Sequence, residues 1–162
     1  MGMTEEESSL LFSAGCDAGV VSHCKKTAEI ADGYRGRGID EKLVHSGAYL
    51  HDLGRSKTHS IRHAGVGAEL AITYSLSDEL RCIIQNHTGA GLSEDDCVLL
   101  NLPPCDCVPK TFEEKIVAHA DNLAKGSRKI RIEQRMMLIA DQSHRSKKNV
   151  WRLAMEVELF RS

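Results

Sequence analysis

Helical periodicity is the feature that most limits how this chain can fold. Apolar residues recur at helical spacing in nearly every segment, and no window shows the sustained alternation expected of a β-strand. Aromatic residues make up only 4% of the sequence, so the core has to be built from Leu, Ile, Val and Ala, which suits packed helices. The sequence therefore predicts an all-α fold, a compact bundle of about six to eight helices.

The chain has 162 residues, which is enough for one domain with a proper core. No internal repeat, low-complexity segment or domain boundary interrupts the helical pattern. We expect one domain over residues 1–162, with a core at about 15–130 and a C-terminal helical extension at about 130–160. Caps and glycines predict eight helices. They run over 4–14, from Asp17 towards Gly36, from Asp40 to about 52, onwards from about 63, from Ser77 to 87, from Thr111 to Gly126, and over roughly 130–142 and 147–160. Loops are predicted at 54–62 and 88–110.

His51 and Asp52 stand together at the end of one apolar helical stretch. Where a helix runs into a core, an imidazole beside a carboxylate is unfavourable, because buried polar and charged groups need a partner. A divalent cation is one partner that serves both side chains. Three further residues would complete such a site, namely His23 upstream and His87 and Asp121 downstream.

Neutral imidazole and carboxylate together suit zinc, iron, manganese, cobalt or nickel better than calcium. Spacing alone leaves a metal site and a coincidence equally open. A single ion would be held by four residues: His23, His51, Asp52 and Asp121. His63 and His87 would either serve a second ion, with Asp52 as the bridge, or stay free of metal and bind phosphate or protonate a leaving oxygen.

Basic residues follow the predicted ligands closely. Arg55, Lys57 and Arg62 follow just after Asp52, all of them by position 62, and Arg55 is the best placed for a bidentate grip on phosphate. Arg128 and Lys129, after the helix of Asp121, are weaker phosphate candidates.

Charge is distributed unevenly, although the net charge is only -2. The segment 125–152 is rich in Lys and Arg and holds only two acidic residues, Glu133 and Asp141. Such a segment can meet RNA phosphates or can be a solvated helical face, and the second interpretation is favoured.

Six cysteines occur without a signal peptide or an apolar run long enough to span a membrane, which predicts free thiols in a reducing cytoplasm. Cys105 and Cys107 are one residue apart in a loop between prolines. Their spacing is shorter than is usual for zinc, so local packing is favoured over metal or redox chemistry.

The candidate ligands lie in segments that resemble the HD superfamily of metal-dependent phosphohydrolases (HDIG type), over about residues 15–130. In order, the segments are VVSHCKKTAEIA, GAYLHDLGR, HAGVGAELA, IIQNHTGAG and EEKIVAHADNLAKG. Each segment alone is weak, but five in order are specific. The chain also looks like small archaeal HD proteins and is similar to bacterial HD hydrolases of symmetrical dinucleoside polyphosphates.

The resemblance implies a helical HD fold with one or two divalent ions, of Fe, Mn, Zn, Ni or Co. It implies the core ligands His23, His51, Asp52 and Asp121, with His63 and His87 at the positions that two-metal members use for a second ion. Arg55 stands where many members have Lys. Asn86 stands where many members have the first of two adjacent His. The Gly-Tyr-Pro signature of cyclic-di-GMP phosphodiesterases is absent.

The predicted function is metal-dependent hydrolysis of a phosphoester or phosphoanhydride, of a nucleotide, by metal-activated water. Catalytic roles fall to Asp52, Arg55, His63 and His87, and contacts to the substrate fall to Arg55, Lys57, Arg62 and His63. The alternatives are a non-catalytic metal- or nucleotide-binding module, an RNA-associated protein, and a metal-dependent lyase or hydratase. The amphipathic C-terminal helix is compatible with a homodimer. The loop 88–110 could equally border the pocket or be an ordinary connector. No membrane partner is expected.

Overall fold

The computed structural model describes residues 3–162, so Met1 and Gly2 of the predicted domain lie outside the described residues. Within these residues, nine α-helices and one small β-hairpin confirm the predicted all-α fold. The helices are α1 (Met3–Ala14), α2 (Ala18–Ala31), α3 (Glu41–Leu50), α4 (His63–Thr73), α5 (Asp78–Asn86), α6 (Glu94–Leu99), α7 (Phe112–Asn122), α8 (Ile132–Leu138) and α9 (His144–Val157). Two 3-10 turns, Leu53–Ser56 and Glu158–Phe160, follow α3 and α9.

Side-chain caps fix where four predicted helices begin. In each, the capping side chain accepts a hydrogen bond from the N–H three residues later, and the caps are Asp17, Asp40, Ser77 and Thr111. The predicted capping box at Thr111 forms only in part. The Glu114 carboxylate instead accepts from the Lys110 N–H (3.1 Å) and from Asn86 Nδ2 (2.8 Å).

The structure corrects the prediction in three places. Helix α6 lies in the segment predicted as a loop, although its capping box of Ser93 and Asp96 is a start signal that the sequence carries. A hairpin of β1 (Ala124–Lys125) and β2 (Arg128–Lys129) follows α7, and strands of two residues are too short to show alternation. The two C-terminal helices also have bounds that differ from the predicted 130–142 and 147–160.

Helix α3 packs against α2, α5 and α7 and so lies inside the bundle. Its buried Val44 and Leu50 share one hydrophobic core with Ile83 of α5. The C-terminal end of α3 therefore enters the core, where His51 is 0% exposed and Asp52 is 6% exposed.

The 3-10 turn after α3 contacts α4 through a glycine. A Cβ built on Gly54 would overlap the carbonyl oxygen of His63 and lie 2.7 Å from the amide nitrogen of Gly67. The missing side chain thus allows the two backbones to meet, and this approach sets the start of α4 beside the end of α3.

We expect Gly54→Ala to lower the free energy of unfolding by about 3 kcal/mol, because the added methyl group meets backbone atoms that cannot move independently. Gly65→Ala on α4 is the control, since no atom lies within 4 Å of a Cβ built there. Its stability should be unchanged or rise by up to about 1 kcal/mol. Urea unfolding followed by circular dichroism measures both, and equal stabilities would contradict the close approach.

Candidate metal centre

Six side chains from five helices meet at the buried end of α3. They are His23 on α2, His51 and Asp52 at the end of α3, His63 at the start of α4, His87 at the end of α5 and Asp121 on α7. They form three overlapping groups in which the ligand atoms lie within 4.8 Å of one another. The structure therefore brings together every residue predicted to hold metal, including the two predicted for a second ion.

The first half of the cluster lies on one side of Asp52. His23 Nε2 is 2.9 Å from Asp121 Oδ1, and His51 Nε2 is 3.4 Å from the same oxygen. Asp52 Oδ2 lies 3.7 Å from His23 Nε2 and 3.6 Å from His51 Nε2. These four side chains are the predicted single-ion set.

The second half faces the other oxygen of the same carboxylate. Asp52 Oδ1 lies 3.4 Å from His63 Nε2 and 3.5 Å from His87 Nε2. The two histidine Nε2 atoms are 3.1 Å apart. Each oxygen of Asp52 thus faces its own pair of imidazoles, which is the arrangement a bridging carboxylate needs.

Hydrogen bonds to the backbone orient all four histidine rings. A carbonyl oxygen can only accept, so each Nδ1 carries a ring proton and each Nε2 points into the cluster. The pairs are His23 with Gly126 (3.0 Å), His51 with Ala48 (2.7 Å), His63 with Ser60 (2.9 Å) and His87 with Ile84 (2.7 Å).

Three Nε2 atoms lack a satisfactory partner among residues 3–162. His51 Nε2 is buried and makes no hydrogen bond within this part of the chain. His63 Nε2 and His87 Nε2 face each other with two lone pairs unless one ring takes a second proton. A cation relieves both problems, and a donor set of imidazole nitrogen and carboxylate oxygen fits zinc, iron, manganese, cobalt or nickel.

The charges of the cluster depend on one another. Burial would raise the pKa values of Asp52 and Asp121, but the surrounding histidines, with His51 the strongest of them, together outweigh burial, and both pKa values fall below their usual range. Burial opposes a charge on His51, yet the two carboxylates raise its pKa well above the usual value. Burial and then His87 lower the pKa of His63 to about 4, so this ring is neutral at pH 7. Two ionised carboxylates therefore need positive charge here, and a bound cation can replace the proton on His51.

A cavity of about 500 Å³ opens beside the cluster, and His23, Asp52, His63 and Asp121 line it. Arg55 lines the same cavity. Its Nε lies 3.5 Å from Asp52 Oδ1, and its other end donates to the carbonyl of His59 at 2.6 Å. The guanidinium is therefore held at the edge of the cluster, beside the second half.

The other predicted phosphate contacts are placed differently. Lys57 and Arg62 are exposed and are not among the residues that line this cavity. Lys125 on the hairpin and Arg135 on α8 line it instead. Arg135 also donates to the carbonyl of Asn122 (2.6 Å), so part of its role is structural. Sequence reasoning missed both residues as individuals, because the only signal for them was the basic character of the C-terminal segment.

Asn86 faces away from the cluster, since its amide donates to Glu114. The neighbouring His87, at the end of α5, belongs to the cluster. The departure from two adjacent histidines therefore leaves the second half with two imidazoles and Asp52 Oδ1.

Four further predictions concern regions outside the site. Cys105 and Cys107 have free thiols, and Gln85 donates to Cys105 Sγ at 2.9 Å. Among residues 3–162, no metal-binding group includes a cysteine. The helices of this described part include none that is both long and apolar enough to cross a bilayer. RNA binding through 125–152 and pairing through the C-terminal helix stay predictions.

A helical bundle whose buried end gathers histidines and aspartates in this way is a candidate metalloprotein. Its family follows from comparison with known proteins. Residues 20–126 match the family model of the HD domain, and the chain belongs to this family.

Among curated proteins, an uncharacterized protein of Methanocaldococcus jannaschii is 42% identical over 124 residues, which are 73% of each chain. A tRNA (cytidine(56)-2'-O)-methyltransferase of Thermoplasma volcanium is 39% identical over 126 residues, which are 77% of this chain but only 37% of that enzyme. The HD domain of the L. monocytogenes phosphodiesterase PgpH, solved with cyclic-di-AMP, superimposes with a TM-score of 0.60 at 13% identity. That alignment covers 93% of this chain and 94% of the PgpH chain, and it confirms the HD-domain fold.

We expect Asp52→Ala to lose the bound metal and to keep most of its helix content, because both halves of the cluster lose their shared carboxylate. Asp32→Ala is the matched control, since Asp32 pairs with His45 outside the cluster. Elemental analysis of anaerobically purified protein, with circular dichroism alongside, measures the outcome. Full metal content in Asp52→Ala would show that the ligand assignment is wrong.

Proposed function

We propose that this protein is a metal-dependent phosphohydrolase that cleaves a phosphoester or phosphoanhydride of a nucleotide. The convergence of four imidazole Nε2 atoms on two carboxylates, at the wall of an open cavity, carries this proposal. Membership of the HD domain family and the PgpH phosphodiesterase fold support a hydrolase.

Four residues would hold the first divalent ion: His23, His51, Asp52 and Asp121. The second half, His63 and His87 with Asp52 Oδ1, would hold a second ion. A divalent ion in such a site supplies Lewis acidity towards a phosphoryl oxygen and towards the attacking water. The protein's own part is to fix the donor atoms, which the backbone hydrogen bonds of the rings accomplish.

Arg55 and Lys125 would bind the phosphate. Both line the cavity beside the cluster, and Arg55 is held there by the His59 carbonyl. A guanidinium offers two parallel donors to a phosphate, and its charge offsets the charge that develops as the ester bond breaks. Asp121 is half-buried and open to the same cavity, so its second oxygen can orient a water molecule.

A nucleotide is the substrate class that the surroundings favour. The cavity continues beyond the cluster, so it has room for more than one phosphate group. The fold neighbour PgpH was solved with cyclic-di-AMP, which is a nucleotide. The methyltransferase of T. volcanium has a further 63% of its length outside the matched region, so its methyl transfer lends no support to an activity of this chain.

Turnover separates a hydrolase from a binding module. We expect the metal-loaded protein to release phosphate or a mononucleotide from at least one member of a panel of nucleotides, cyclic dinucleotides and dinucleoside polyphosphates. Chromatography of the products and a phosphate assay measure this. Tight nucleotide binding without any product from the metal-loaded protein would favour the binding module instead.

Arg55→Ala should lower kcat/KM by about 10- to 100-fold while the metal content stays unchanged, because a charged hydrogen-bond donor to the phosphate is lost. Arg55→Lys should recover part of the loss, since the charge returns without the bidentate geometry. Arg81→Ala is the control, because Arg81 lies on α5 outside the cavity and pairs with the exposed Asp78. Unchanged kinetics in Arg55→Ala would dismiss its role.

A further inference from the structure

A second cavity, of about 440 Å³, adjoins the cavity of the metal centre. Four residues line both cavities: Ile61, Thr88, Gly89 and Gln142. The shared wall makes the two cavities one continuous cleft, with the metal centre at one end. A volume of this size lies in the range of small-molecule sites.

Contacts to the backbone fix the loop around Gly89 and Gly91 that lines the second cavity. Asn122, next to Asp121 on α7, donates to the carbonyl of Gly89 at 2.9 Å. Gly91 has φ +92° and approaches the Val108 backbone so closely that a Cβ built there would lie 2.6 Å from Val108 Cα. The position of the second cavity is therefore tied to the helix that carries a predicted metal ligand.

The Thr88 hydroxyl at this junction has no partner among residues 3–162. Its Oγ1 is buried and makes no hydrogen bond there. Buried hydroxyl groups are nearly always hydrogen-bonded, so this side chain would gain a partner by turning towards the cavity that Thr88 lines.

The far end of the second cavity is apolar and close to neutral. Leu92, Leu99 and Leu100 line it, and Leu100 is 44% exposed although it is apolar. The one lining cation on the described side chains is Arg145, and its guanidinium is paired with the carboxylate of Asp96. Such walls suit a flat, uncharged, partly polar group better than a second phosphate.

We propose that this second cavity binds the base of a nucleotide whose phosphate lies at the metal centre. The proposal rests on the proposed function for its phosphate end, but base binding itself can be tested without phosphate. The base packs against Ile61 and Leu100, and its polar edge meets the amide of Asn149 and, once the Thr88 side chain turns towards the cavity, the Thr88 hydroxyl. The second cavity thereby selects nucleotides over phosphate esters that lack a base.

NMR titration of the full chain labelled with ¹⁵N tests base binding directly. The probes are adenosine, guanosine, cytidine and uridine, with ribose as the control that lacks a base. We expect at least one nucleoside to shift the amide signals of Gly89, Leu92 and Leu100 in a saturable way, and ribose to leave them unchanged. If no nucleoside shifts them, or if ribose shifts them equally, the proposal is wrong.

Two pairs of variants make the test specific. Asn149 lies on the exposed face of α9 and lines the second cavity, so Asn149→Trp fills the space and Asn149→Ala leaves it open. We expect the tryptophan variant to weaken nucleoside binding by at least about tenfold relative to the alanine variant. Leu100→Ala should also weaken binding. Leu138→Ala should not, because Leu138 lies outside the cavity although its exposed fraction, 46%, is close to the 44% of Leu100. Equal affinities within both pairs would overturn the proposal.

Failure of this proposal is distinguishable from failure of the proposed function. If the variants weaken nucleoside binding but the protein hydrolyses no phosphate ester, the base site is supported and the hydrolase function is wrong. Hydrolysis of AMP and ribose 5-phosphate with equal kcat/KM would keep the hydrolase and remove the base site.

Discussion

The carboxylate of Asp52, buried at the end of α3, is the feature on which the rest of the structure depends. A carboxylate that leaves water needs compensating charge and hydrogen-bond donors. Here four imidazoles and the Arg55 guanidinium surround its two oxygens, and the histidine Nε2 atoms lie 3.4 to 3.7 Å from them. Helices from distant parts of the sequence converge to supply these groups, so the charge of one residue accounts for the point at which five helices meet.

The same local hydrogen bond, from Nδ1 to a backbone carbonyl, orients three of the four rings. His51, His63 and His87 each lie where a helix ends or begins, and each Nδ1 donates to the carbonyl three residues earlier. His51 and His87 follow the last residues of their helices, where carbonyls lack a partner within the helix, so this hydrogen bond satisfies an acceptor and aims Nε2 in one step. The Ser60 carbonyl before α4 already accepts from the His63 N–H at 3.1 Å, so there the ring's hydrogen bond serves to aim Nε2. The fourth ring, His23, uses the carbonyl of Gly126 in the hairpin turn, which ties the hairpin to the metal centre.

Much of this site could be predicted from the sequence, because its residues sit on strongly periodic helices with clear caps. The pair His51 and Asp52 marked a helix end entering the core, and the ordered segments around it indicated the remaining ligands. Lys125 and Arg135 could not be predicted, because their position depends on a short hairpin and on how α8 returns to the cavity. The unpaired hydroxyl of Thr88 also depends on tertiary contacts and leaves no pattern in the sequence.

The cleft joins two kinds of chemistry along one path. Its charged end offers nitrogen and oxygen atoms that can bind a metal, with Arg55 beside them. Its other end has apolar walls, and the Arg145 there is paired with Asp96. Asn122 connects the ends, since it follows Asp121 on α7 and donates to the carbonyl of Gly89, which lines both cavities. A ligand with a phosphate and a flat base matches this order of surfaces.

Anomalous X-ray diffraction from crystals of the protein purified without chelator would locate the metal itself. Difference maps above and below the absorption edge of the metal found would show where it binds. We expect a peak bonded to the Nε2 atoms of His23 and His51 and to the carboxylates of Asp52 and Asp121. A peak elsewhere, or no peak among these side chains in protein that contains metal, would contradict the assignment of these four residues as ligands.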